Sequence, residues 1–243
     1  MSSASGRLLA DNGAGHAGVL DARMELLGRI SAGLAHDLNG PIGVMLGFAQ
    51  LAREKIETGD PSAMTGIVEY LKMVESAGEN ARGLARDMWG FATGVTDQVS
   101  EIDFAELLET SVRLVGPTLR VAAIEPPIAG ELAAQSVTGD RAMWTQALVG
   151  IMIEAPKALP GGGSLTLGLE RDGERQILDI SFVAAPNEPG VTAAPPSPAL
   201  EWECSESTMA VVVNLGGTLS PMSGLDGGRS GLELKVPTDA YGT

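Results

Sequence analysis

Two long stretches, about residues 19–57 and 64–93, repeat apolar side chains at steps of three and four, and that spacing is the strongest constraint on the fold. In the first, Leu27, Ile30, Leu34, Leu38, Ile42, Met45, Ala49, Ala52 and Ile56 form one stripe. In the second, Met64, Ile67, Leu71, Val74, Gly78, Ala81, Ala85, Met88 and Ala92 do the same. Such steps line one side of a helix, as in a coiled-coil seam. The run from Leu34 through Leu38 to Ile42 takes two successive steps of four beside Pro41, which lacks a backbone donor and favours a bend. TGDPS at 58–62 reads as a turn, with Asp60 as N-cap and Pro61 at the first helical position. Two long helices joined by a short turn make a hairpin. A lone hairpin has two apolar faces and one partner surface, so pairing with a second copy into a four-helix bundle is the simplest expectation.

The flanking regions differ in character. Residues 1–18, rich in Gly, Ala and Ser, read as a flexible lead-in, the hairpin occupies 19–95, and 238–243 form a tail. Residues 99–237 mix short strands and helices. VSEID, VAAIEPP and AAQSVTG read as strands, and FAELLETSVRLV as an amphipathic helix. RAMWTQALVGIMIEAPKAL reads as a longer helix stopped by PGGG, and SLTLGLERDGERQILDISFVA as a strand hairpin. After a Pro/Ala-rich loop at 184–200, SESTMAVVVNLGG closes as a last helix, followed by strands TLSPM and GLELKVP. The fold class expected is α+β: a helical hairpin, then one sheet covered by helices on one face.

Charge and composition exclude several function classes. The formal charge is −15, which repels phosphate backbones and anionic lipid, so neither nucleic acid nor membrane is an expected partner. Apolar residues are 44% of the chain but aromatics only 4%, so Ala, Leu, Ile, Val and Met must fill the interior. The single cysteine, Cys204, cannot form an internal disulfide and fits a reducing compartment. With no apolar run near about 18 residues and no signal-peptide pattern at the start, a cytoplasmic protein is expected.

Two histidines are present. His16 lies in the lead-in. His36 lies mid-helix, on the face away from the stripe, followed directly by Asp37. A neutral imidazole is a nucleophile, and an adjacent carboxylate orients the ring and favours one tautomer. Phosphoryl transfer to nitrogen needs that arrangement together with open access.

The segment GRISAGLAHDLNGPIGVMLGFAQLA resembles the phosphoacceptor helix of bacterial sensor histidine kinases, with His36, Asp37 and Pro41 matching the family's His-acid-x-x-x-Pro pattern. YLKMVESAGENARGLARDMWGFA is similar to the partner helix of that bundle. The resemblance implies that His36 is the phosphorylated residue and Asp37 its acidic helper. The second domain resembles the family's ATP-binding domain in degenerate form. Where the family carries a metal-holding asparagine this chain has Glu154, with Gly150 one turn before and Pro156 just after. AAPNEPGV stands where an Asp-x-Gly-x-Gly adenine turn is expected, and SESTMAVVVNLGG lacks the family's phosphate-cradling glycines.

This combination resembles the dimeric bacterial histidine phosphotransferases derived from histidine kinases, and ALPGGG at 158–163 is similar to their Ala-Leu-Pro-x-Gly-Gly stretch. The resemblance implies a phosphorelay protein. His36 takes a phosphoryl group from one receiver-domain aspartate, such as that of an upstream hybrid kinase, and passes it to the receiver of a response regulator. No cofactor is expected on this chain, and the Mg²⁺ belongs to the receiver. Ala35, Asn39, Gly40, Ile42, Gly43 and Leu46 lie near His36 at helical spacing and are the expected receiver-docking face. Gly40 occupies the place where many sensor kinases carry a water-positioning Thr or Asn, so water activation is not expected here. The alternatives are an ATP-dependent sensor kinase and a non-catalytic pseudokinase scaffold. Trp89 and Phe91 are expected to pack at the domain junction, Trp144 in the core, PGGG at 160–163 to be a turn, and Cys204 to be inert.

Overall fold

Helix α1 runs from Ser5 to Glu57 and helix α2 from Met64 to Thr93, packed against each other as an antiparallel hairpin. The computed structural model describes residues 5–59, 64–94, 99–128, 135–185, 204–222 and 229–237. The expected Asp60 and Pro61 cap, the core of the 184–200 loop and the 238–243 tail lie outside the described residues. Residues 5–18, expected as a flexible lead-in, instead continue α1. Among the described residues no helix is long and apolar enough to cross a membrane.

The apolar stripe of α1 divides into two parts with different partners. Ala22, Leu26, Ile30 and Leu34, at successive steps of four, are buried in one core with the second domain. Beyond Pro41 the helix leaves that domain. Its seam with α2 is built from Ala52, Ala77, an edge-tilted Phe48–Tyr70 pair with centroids 5.7 Å apart, and Met45 against Gly78. Ile42, Leu46, Ile56, Met64 and Leu71 remain exposed in the single chain.

The second domain opens with strand β1, Val99–Asp103, whose last residue caps helix α3, Phe104–Val121: Asp103 Oδ1 accepts from the Glu106 amide at 3.1 Å. The expected helix ended at 115. The observed one continues through buried Pro117, because Gly116, Pro117 and Leu119 have apolar cover that offsets the lost backbone bond. Strand β2 is only Ile124–Glu125, and β3, Ser136–Asp140, ends on the cap of α4, Arg141–Met152. The Asp140 carboxylate accepts from the amides of Ala142 and Met143.

The single helix expected over 141–159 breaks into α4 and a short α5, Ala155–Ala158. Pro156 cannot bond back to Met152, and the chain turns at Ile153–Glu154. Strands β4 (Gly163–Asp172) and β5 (Arg175–Ala184) form the expected hairpin. Helix α6 (Glu206–Asn214) and strands β6 (Thr218–Met222) and β7 (Arg229–Pro237) follow.

The strands form two sheets rather than the one expected. β1 and β3 pair antiparallel with Ile102 opposite Val137, and the other five are ordered β2-β4-β5-β7-β6. Along β5, Gln176, Leu178, Ile180 and Phe182 are buried and alternate with half-buried residues. Opposite them on β7 stand Val236, Leu234 and Leu232, so one face of the larger sheet supplies the core beneath α3, α4 and α6. Two sheets arise because β1 and β3 cap their helices and end there, away from the five-stranded ladder. PGGG is a turn, as expected: Gly163 enters β4 at φ 150°, where a Cβ would lie 2.1 Å from the Val183 carbonyl oxygen.

Candidate functional site around His36

Gly33 brings α1 and α3 together. A Cβ on Gly33 would lie 2.5 Å from Pro117 Cβ, so a hydrogen at this position lets the two helices touch. One turn later on the same side of α1 is Asp37, and one turn later on α3 is Arg120. Asp37 Oδ2 is ion-paired with Arg120 Nη2. The other carboxylate oxygen, Oδ1, lies 3.4 Å from His36 Nδ1.

His36 itself points outward, with 89% of its side chain exposed, whereas Asp37 is 25% exposed. The ring therefore turns Nδ1 toward a carboxylate and leaves Nε2 open to solvent. That is the geometry for a nitrogen nucleophile with an oriented ring. Ala35, Asn39, Gly40, Ile42, Gly43 and Leu46 are all exposed on the neighbouring surface of α1. Two clefts flank the Asp37–Arg120 pair. One of about 570 Å³ lies between His36, Gly33 and the end of α3, with Pro156 at its edge. The other, about 860 Å³, lies between the hairpin and α3, lined by Pro41, Met73, Leu84 and Arg113 among others.

The position that the kinase resemblance aligns with a metal-holding asparagine is filled differently. Glu154 is fully buried, with Oε1 2.5 Å from Arg29 Nη1 of α1 and Oε2 2.5 Å from Lys157 Nζ. Arg29 Nη2 also donates to the Ile153 carbonyl at 3.3 Å. Burial pushes the Glu154 carboxyl up, but hydrogen bonds and charge from Arg29 and Lys157 outweigh it and hold the group below its ordinary range. Gly150, one turn earlier, is pressed against Thr208 of α6, where a Cβ would come within 2.9 Å of Oγ1. Both oxygens of Glu154 are committed inside the protein, one to each cation. Among the described residues no cluster of three His, Cys, Asp or Glu side chains has the geometry to hold a metal.

Other expected residues sort cleanly. Phe91 and Trp144 are buried as expected, but Trp89 is 72% exposed and does not pack at the domain junction, since it projects from the opposite side of α2. Cys204 is half-buried and free, with burial, and then the Glu154 charge, pushing its thiol up to about 11. His16 lies outside the residues whose side chains are described. The functional partners that sequence reasoning missed are Arg120 and Arg29. Arg120 stands five residues beyond Val115, where the helix was expected to end. Arg29 lies on α1, 125 residues from the carboxylate it meets.

No family model matches the chain. The signal transduction histidine-protein kinase AtoS of Escherichia coli is 26% identical over 148 residues, covering 60% of this chain and 23% of AtoS. The C4-dicarboxylate transport sensor protein DctB of Rhizobium meliloti is 26% identical over 175 residues, 70% of this chain and 27% of DctB. Among solved structures, a bacterial phosphotransferase is 16% identical with a TM-score of 0.41, covering 87% of this chain and 95% of that one. The chain spans about a quarter of the length of the curated relatives it matches. By these sequence similarities the chain is homologous to sensor histidine kinases.

Proposed function

We propose that this protein is a histidine phosphotransferase of a two-component phosphorelay, working as a homodimer through the hairpin. The observation that carries the reading is the contrast between two sites: His36 stands open with an oriented ring, while Glu154 is sealed into an ion pair at the nucleotide position. In the forward step the Nε2 lone pair of His36 bonds to phosphorus as the P–O bond to a receiver aspartate breaks. The bonding electrons leave with that carboxylate, and a second receiver aspartate then reverses the exchange. Asp37 stabilises the positive charge that the ring gains when phosphorylated. Mg²⁺ for both half-reactions is supplied by the receivers, whose docking face is the exposed surface at Ala35, Asn39, Gly40, Ile42, Gly43 and Leu46. The exposed Ile56, Met64 and Leu71 are the surface that a second hairpin would cover.

The test is transfer from a panel of radiolabelled, phosphorylated receiver domains, comparing wild type with His36→Gln. Label on the wild type alone is the expected result, and an unlabelled wild type ends the reading. A second reading, an ATP-dependent histidine kinase, is favoured by the names of the curated relatives, which are kinases and sensor proteins. Incubation with γ-labelled ATP and no partner separates the two: label on His36 supports the kinase, and its absence beside successful transfer supports the phosphotransferase.

A further inference from the structure

We infer that Arg120, contributed by the second domain, is a positioning residue for the phosphoacceptor: it anchors Asp37 so that the carboxylate holds the His36 ring with Nε2 as the free nucleophile. This rests on the phosphotransfer reading of His36 and extends it to a residue outside the hairpin.

The argument begins with helix geometry. Neighbours at i and i+1 diverge by about 100° around a helix and do not face each other. His36 points to solvent while Asp37 points toward α3, yet Asp37 Oδ1 reaches back to within 3.4 Å of His36 Nδ1. An unanchored aspartate on a helix surface rotates freely and solvates its carboxylate. Here the other oxygen is tied to the Arg120 guanidinium, which fixes the rotamer and leaves Oδ1 directed at the ring.

The anchor is itself held in place. The close approach of Gly33 to Pro117 sets the spacing of α1 and α3 one turn before, on the same sides of both helices that carry Asp37 and Arg120. The pair also forms the wall between the two clefts, so the ring, its carboxylate and the guanidinium make a chain that crosses the domain boundary. Its effect on chemistry is on tautomer choice. A carboxylate accepting from Nδ1–H leaves the lone pair on Nε2, the open nitrogen. Attack then forms the N–P bond at Nε2. The proton stays on Nδ1, hydrogen-bonded to Asp37, and the leaving group departs with the electrons of the broken bond.

The experiment uses the full chain as Arg120→Met, Arg120→Lys, Asp37→Asn and the Arg120→Met/Asp37→Asn pair. Potassium phosphoramidate is the donor, so receiver docking plays no part. The rate at saturating donor is expected to fall on the order of 10-fold in Arg120→Met, the scale for groups that orient a histidine's partner. Arg120→Lys is expected to recover most of that loss, and the double variant to be no slower than Asp37→Asn alone. A parallel measurement needs no chemistry: the imidazole ¹⁵N shifts of His36 are expected to show the Nδ1–H tautomer in wild type and a shift toward Nε2–H in Arg120→Met. Unchanged ¹⁵N shifts, or a rate loss that adds in full to that of Asp37→Asn, overturn the inference. If wild type takes phosphoryl from neither phosphoramidate nor a receiver, the phosphotransfer reading falls instead, and the ¹⁵N shifts still decide whether Arg120 orients the ring.

Discussion

Replacing Arg29 by Met exposes how the first helix is fastened to the second domain. Glu154 is fully buried, and Arg29 meets its Oε1 at 2.5 Å. Removing one partner of a buried ion pair costs about 3–5 kcal/mol, because the other charge is left without compensation. Lys157 still holds Oε2, although its own side chain is mostly exposed, so the cost here falls just below that range, at about 2–3 kcal/mol. For a chain of this length that is a drop in melting temperature of roughly 4–12 °C.

The assay is urea unfolding followed by the change in tryptophan emission as fully buried Trp144 becomes exposed. The pH dependence adds a second check. The folded Glu154 carboxyl lies below its ordinary value of 4.5, so its stabilising contribution is complete above that value and is lost as pH falls through the depressed folded value. In Arg29→Met the buried carboxylate has lost its main partner and protonates at higher pH. The gap between variant and wild type is therefore widest near about pH 7 and narrows in acid. Replacing both members, as Arg29→Met with Glu154→Leu, is expected to recover most of the stability, since an apolar pair needs no compensation. A cost below about 0.5 kcal/mol near neutral pH, or an equal cost in acid, would refute the reasoning.

Three further outcomes follow from packing and exposure. Gly33→Ala drives a methyl against Pro117 and is expected to cost about 1–3 kcal/mol in thermal unfolding, and an unchanged midpoint would mean that α1 and α3 do not touch there. His36→Gln is expected to change stability by less than about 0.5 kcal/mol, because the ring is 89% exposed, and a larger loss would place it in packing contacts. Cys204, with its thiol pushed up to about 11, is expected to react with iodoacetamide on the order of 100-fold more slowly in the native protein than in urea, and equal rates would contradict its burial.

The hairpin, the order of strands and helices, and the outward placement of His36 beside Asp37 were all legible in the chain, because each depends on residues a few positions apart. Periodicity settles which face of a helix is apolar, and alternation marks β5 as a half-buried strand. The same local signals misjudged the points where distant segments meet. Ile30 and Leu34 read as hairpin seam, yet they are buried in the second domain's core. The helix expected to end at Val115 runs on through Pro117, which the core covers, and that extension carries Arg120 to Asp37 across 83 residues. Glu154 could be recognised as out of place for a nucleotide site, but not as the buried partner of Arg29. Ion pairs between separate elements leave no periodic trace in a sequence. They exist only once burial of apolar surface has set the helices side by side, and so the wiring of this site belongs to the tertiary structure alone.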